Sequence, residues 1–242
     1  MFKNLFKMML LLSLGFLTLN ASVVNDGFEE LEKGNVLEAA NIFQNSCNEG
    51  ASSGCYNLGL MYYKGDKIAK NYPKAVQLFS KACDLGHTNA CYNLAYMYEN
   101  AQEVKDSFKA VELYEKLCNE GISAACYNLG TMYETGDGVE RHTFKAVEFL
   151  TKACDLNHAK ACYNLAVKYQ NEDGVEKAPL KAANLYIKAC DLGNASACYN
   201  LGIMYSDGKF FAKNSANAKE YFRRACDMNF DEACKAYNNL NK

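Results

Sequence analysis

Twelve cysteines fall into six pairs: Cys47 with Cys55, Cys83 with Cys91, Cys118 with Cys126, Cys154 with Cys162, Cys190 with Cys198 and Cys226 with Cys234. Within every pair the spacing is eight. The first members stand 36, 35, 36, 36 and 36 residues apart. A period of that length, kept over most of a chain, means one supersecondary unit repeated and stacked, because a single unit of this size cannot bury its own apolar face. Every cysteine belongs to a pair, so none is left over as a lone nucleophile.

The residues around the pairs show what they join. Before Cys83, the residues Ala75, Leu78, Phe79 and Ala82 lie at helical spacing and share one apolar face with it; the same frame recurs before Cys118 and Cys154. After Cys91, the residues Leu94, Ala95 and Tyr98 continue an apolar helical face. On one unbroken helix two residues eight apart would be about 12 Å apart, beyond disulfide reach. A break at Gly86 instead folds the segment into an antiparallel helical hairpin with both cysteines beside the bend. Each pair is then a staple across a helix-turn-helix corner, and the chain-entropy relation values such a small ring at roughly 2–3 kcal/mol.

That reading needs an oxidising compartment. Residues 1–21 have the layout of a secretory signal peptide: Lys3 and Lys7, an apolar run from Met8 to Leu19, then Ala21 and Ser22. The run is too short to span a bilayer, so no stable membrane anchor is expected after cleavage. Zinc is the competing use of paired cysteines, but zinc ligands stand two to four residues apart or mix with histidine, and the chain has three histidines. Disulfides are therefore expected for all six pairs, with no metal and no cofactor. Cleavage would remove two lysines and take the net charge from −2 to −4. An acidic chain without a basic stripe has no electrostatic case for nucleic acid or an anionic membrane surface.

The second connector of each unit is the loop seen in "YETGDGVERHTFKA" (133–146) and "YQNEDGVEKAPLKA" (169–182). Its helix-start column holds Asn71, Asp106, His142, Ala178 and Asn214, mostly N-cap types, and Pro73 and Pro179 fall in the following first turn. Two helices of about a dozen residues per unit give thirteen in all, from a cysteine-free pair near 23–49 to a closing helix near 231–241. With no low-complexity tract or shift in composition, residues 22–242 are expected to form one all-α array, an α/α superhelical solenoid of about six helix pairs plus a capping helix.

The pattern A-C-Y-N-L-G-x-M-Y-x-x-G, as in "ACYNLGTMYETG" (125–136), with G-V and K-A then K-A-C following, resembles the Sel1-like repeat, a relative of the tetratricopeptide repeat. With a cysteine pair in each repeat and an apparent leader, the chain is similar to the Helicobacter cysteine-rich protein family. That resemblance implies a secreted or periplasmic bacterial protein, binding of penicillin-type compounds and weak β-lactamase activity.

Candidate site residues come from the helix after each bend. Two residues past its cysteine stand Asn57, Asn93, Asn128, Asn164 and Asn200, and six past it stand Met61, Met97, Met132, Lys168 and Met204. These columns turn 150–240° away from the cysteine at about 100° per residue, so a ladder of amides flanked by Met97 and Met132 is expected to line a concave groove. Asparagine donates to and accepts from a peptide backbone, and methionine adapts to varied side chains. The alternative use of both columns is scaffold, amides bonded between helices and methionines filling gaps. The expected partner is a peptide, a protein or a peptidoglycan-derived ligand, to which the resemblance adds β-lactams. A slow β-lactamase and a rigid spacer are the rival readings. For hydrolysis the chain offers a single S-x-x-K, Ser206 to Lys209, without companion S-D-N or K-T-G motifs and at a helix end. His87 and His158 share a column about 20 Å apart, at about 10 Å per repeat, too far to hold one metal.

Overall fold

A computed structural model describes residues 23–65, 68–208 and 212–240. The expected leader at 1–21 and Lys209 lie outside them. All regular structure among the described residues is helical. The helices are α1 (23–32), α2 (Val36–Asn48), α3 (Ser52–Lys64), α4 (Tyr72–Asp84), α5 (Thr88–Asn100), α6 (Ser107–Asn119), α7 (Ser123–Thr135), α8 (Thr143–Asp155), α9 (Ala159–Asn171), α10 (Pro179–Asp191), α11 (Ala195–Asp207), α12 (Ser215–Asp227) and α13 (Asp231–Asn239). They form two compact units, one ending at Leu113 and one beginning at Tyr114. None of these helices is long and apolar enough to cross a membrane.

All six expected pairs are disulfides. Cys47 is bonded to Cys55, Cys83 to Cys91, Cys118 to Cys126, Cys154 to Cys162, Cys190 to Cys198 and Cys226 to Cys234, with Cα atoms 4.5–4.8 Å apart in every case. Cys55, Cys91, Cys126, Cys162, Cys198 and Cys234 each stand in the first turns of the helix after a bend, facing the last turn of the helix before it. What brings the partners so close is the left-handed residue at the bend. Gly86, at φ 85°, follows the last turn of α4, and its amide donates to the Cys83 carbonyl. Asn157 and Asn229 do the same work at φ 63°, the non-glycine type best suited to that conformation. The helix-start column caps as expected: Asn71, Asp106, His142 and Asn214 accept from the amides of Lys74, Lys109, Lys145 and Asn217. Ala178 makes no such bond, and Pro179 opens α10 instead.

In each unit the apolar faces meet as their spacing requires. Within the first, Ala75, Phe79 and Ala82 of α4 are fully buried and join Phe43, Leu58 and Leu94 in one core cluster. The second unit repeats this with Leu150 of α8 and Tyr186 of α10. Tyrosines one past the second cysteine reach the next repeat: Tyr56 stacks on His87 at 4.2 Å and Tyr127 on His158 at 4.6 Å between ring centroids. Lys74 and Lys181 each bond a tyrosine hydroxyl of the preceding helix, Tyr62 and Tyr169, at 2.7 Å, while their ammonium groups lie 4.3 and 4.2 Å from the ring centres.

Candidate functional site

The five asparagines do not behave alike, although all are half-buried on equivalent turns of α3, α5, α7, α9 and α11. Asn200 bonds the hydroxyl of Tyr186, a core residue whose pKa burial pushes up to about 12 against that bond. Asn128 is engaged as well. The amides of Asn57, Asn93 and Asn164, by contrast, hydrogen-bond to none of the described residues.

Two of these free amides open on cavities. In the first unit Asn57 lines one of about 200 Å³, with Phe28, Leu31, Phe43, Leu60, Met61 and Lys64 around it. In the second, Asn164 lines one of about 290 Å³, with Glu134, Tyr163, Val167, Lys168 and Asp173. Both cavities use the same three positions of the repeat, two, five and six residues past Cys55 in one case and Cys162 in the other.

The methionine half of the expected ladder is corrected. Met97 and Met132 are each 1% exposed and belong to the core, so no ligand touches them in this arrangement. Both lie away from the cysteine around the helix, but a helix packed among others is covered on more than one side. Distance around the helix from one buried residue therefore does not give exposure.

Lys168 breaks the methionine column, and its surroundings are unlike those of any other repeat. Its side chain is 4% exposed, and its ammonium donates to Glu134 Oε1 at 2.7 Å and Asp173 Oδ2 at 2.8 Å. Burial opposes the charge, but the two carboxylates, by hydrogen bonds and by their field, outweigh it and hold the pKa above the ordinary lysine value. Asp173 reaches it because Glu172 ends α9 in the left-handed region at φ 61°, and the Asp173 amide then returns to the Lys168 carbonyl. This cluster is absent from the expected site. Its signal was a cation in a column of methionines, with Glu134 one repeat upstream in the equivalent helix.

The other candidates resolve simply. His87 and His158 are N-caps, each accepting through Nδ1 from the amide three residues on. Ser206 lies in the last turn of α11, which the left-handed Gly208 closes. Among the described residues no group of three or more His, Cys, Asp or Glu is placed to hold a metal ion.

Repeated helical hairpins, each closed by a disulfide at its bend, with capped second connectors, define a helical-repeat scaffold protein. The Sel1 repeat model matches residues 52–87, 88–122, 123–158, 159–194 and 195–230. The chain belongs to the Sel1 repeat family, whose repeats generally mediate protein–protein interactions. It is similar to a protective antigen of uropathogenic Escherichia coli displaying an SLR fold, at 27% identity and TM-score 0.76 over 83% of this chain. It spans 43% of that longer chain. A Sel1 repeat protein from Oxalobacter formigenes matches at 25% identity and TM-score 0.72, covering 86% of this chain and 87% of its own. Helicobacter pylori cysteine rich protein B is 32% identical over 53% of this chain and 93% of its own, with a TM-score of 0.45. No curated protein sequence matches significantly.

Proposed function

We propose that the chain is an extracytoplasmic binding protein, exported by its 1–21 leader and secreted or periplasmic, each of whose two units holds an extended peptide or the peptide part of a cell-wall fragment on its own asparagines. The observation that carries this is the pair of free amides, Asn57 and Asn164, each lining a cavity at the same positions of its repeat. A fully buried amide without a partner costs about 1–3 kcal/mol, so half-buried ones that no neighbour satisfies are best used where a ligand backbone can reach them. Six disulfides suit an oxidising compartment and make a rigid support. β-Lactams, brought in by the likeness to the cysteine-rich proteins, enter as mimics of such a peptide, and the single S-x-x-K at Ser206 lacks the companion motifs of a serine hydrolase of β-lactams.

The test is a titration of the oxidised chain with peptides selected from a random display library, with purified muropeptides and with benzylpenicillin, alongside a hydrolysis assay. Saturable binding of peptide or muropeptide, with benzylpenicillin competing and surviving intact, is expected. Binding of none of them would refute the reading, and steady turnover of benzylpenicillin would replace it with the hydrolase.

A further inference from the structure

We propose that the cavity of the second unit is a receptor for a basic side chain, taking the guanidinium or ammonium group of a bound polypeptide against Glu134 and Asp173. The choice of a polypeptide as its source rests on the function proposed above; the preference for a cation rests on the cavity alone.

The charge balance comes first. The cavity holds two carboxylates and one ammonium, hence one net negative charge. The ammonium is little on offer to a ligand, because Lys168 is enclosed, its side chain 4% exposed, and gives two of its three N–H groups to Glu134 Oε1 and Asp173 Oδ2. The carboxylates are on offer, at 36% and 56% side-chain exposure. Their second oxygens, Oε2 of Glu134 and Oδ1 of Asp173, accept from none of the described residues. Lys168 thus fixes both acceptors in place and leaves each with an open site, an arrangement that meets a planar, multiply donating cation and repels an anion.

The remaining walls fit the stem and the chain that carries it. Tyr163 and Val167 supply ring and aliphatic surface for methylene groups, and Asn164 contributes the free amide beside the cavity. About 290 Å³ is near the roughly 300 Å³ lower end of ligand pockets, suited to one side chain. A metal ion has no place between the carboxylates, since the Lys168 ammonium already stands there. The cavity of the first unit, lined by Phe28, Leu31, Phe43, Leu60, Met61 and Lys64 beside Asn57, has no carboxylate, so the two units differ in what they accept.

The experiment follows the Asn164 side-chain amide by NMR while the oxidised chain is titrated with N-acetylarginine N-methylamide, its citrulline counterpart and butylguanidinium. A saturating shift with the arginine probe is expected, with the citrulline probe weaker by about tenfold or more, the difference one charged hydrogen-bond pair makes. Butylguanidinium, lacking backbone amides, is expected to bind more weakly than the arginine probe. The neutral variant Glu134→Gln, Lys168→Met, Asp173→Asn should abolish the preference while staying folded, because methionine is what the same column carries in Met97, Met132 and Met204. Equal response to arginine and citrulline, no response to either, or a preference surviving in the neutral variant overturns the cation site. Butylguanidinium binding as well as the arginine probe overturns the polypeptide source. A chain that binds selected peptides without regard to basic residues refutes this inference alone, and one that binds the arginine probe but no peptide refutes the proposed function alone.

Discussion

His87 and His158 show how a single residue can be legible as a type and illegible as a role. In sequence they are two histidines in one column, which invites a metal or catalytic reading; in the fold each caps a helix through Nδ1 while stacking on a tyrosine of the preceding repeat. Burial lowers both pKa values, with Lys160 adding to the effect at His158. The folded state therefore binds fewer protons than the unfolded one. Its stability is full above the ordinary histidine pKa of 6.5 and falls as pH drops from there toward the depressed values, since protonation also removes the cap acceptor. Urea midpoints at about pH 7.5 and about pH 5 should show the loss. The variant His87→Asn, His158→Asn should flatten it while keeping the caps, as Asn194 does in the same column of the next repeat. An unchanged pH slope in that variant would remove these histidines as its source.

Helix pairs carry the next constraint, the close approach of neighbouring repeats. The fourth residue past the second cysteine is Gly59, Ala95, Gly130, Ala166 or Gly202, and a Cβ built on Gly202 would lie 2.5 Å from the Phe222 ring, against 3.1 Å from Leu150 at Gly130. Gly202→Ala should therefore cost about 1–3 kcal/mol by overpacking, and Gly130→Ala less, measured by denaturant unfolding. Equal costs would mean that the ring moves aside. Lys168→Met poses the converse case: it removes an enclosed ammonium and restores the residue found in equivalent helices, so stability should be unchanged or higher, whereas Glu134→Gln with Asp173→Asn should lower it by about 1–3 kcal/mol, because the enclosed ammonium then keeps only neutral acceptors. The disulfide at each bend acts on the same scale. Replacing Cys154 and Cys162 by alanine should cost about 2–3 kcal/mol and raise amide exchange at the α8–α9 corner before it does so at α12–α13, because repeat arrays lose stability locally. Uniform acceleration of exchange through the second unit would show tighter coupling than nearest-neighbour packing.

At the scale of the whole molecule, periodicity and cysteine spacing were enough to read the all-α repeat and its six staples, from Cys47 with Cys55 to Cys226 with Cys234, because both depend on local pattern. The caps at Asn71, Asp106, His142 and Asn214 were legible for the same reason. Burial around the back of a helix was not: Met97 and Met132 are each 1% exposed, although the helical spacing turns both away from the cysteine face. The Lys168 cluster was hidden because Glu134 lies a full repeat away and Asp173 arrives only through the left-handed Glu172. The asparagine column stands between these cases, since three amides are free while Asn128 and Asn200 are tied into the scaffold. The central claim is that the free ones are kept for a ligand. The most direct test compares the parent chain with Asn57→Ala, Asn164→Ala by melting temperature and by affinity for a peptide selected on the parent. One lost ligand hydrogen bond in each unit, at about 0.5–1.5 kcal/mol, predicts affinity at that unit weaker by about twofold to tenfold with the melting temperature nearly unchanged. A melting temperature lowered by several degrees, with affinity per folded molecule unchanged, would contradict it and return the whole column to the scaffold.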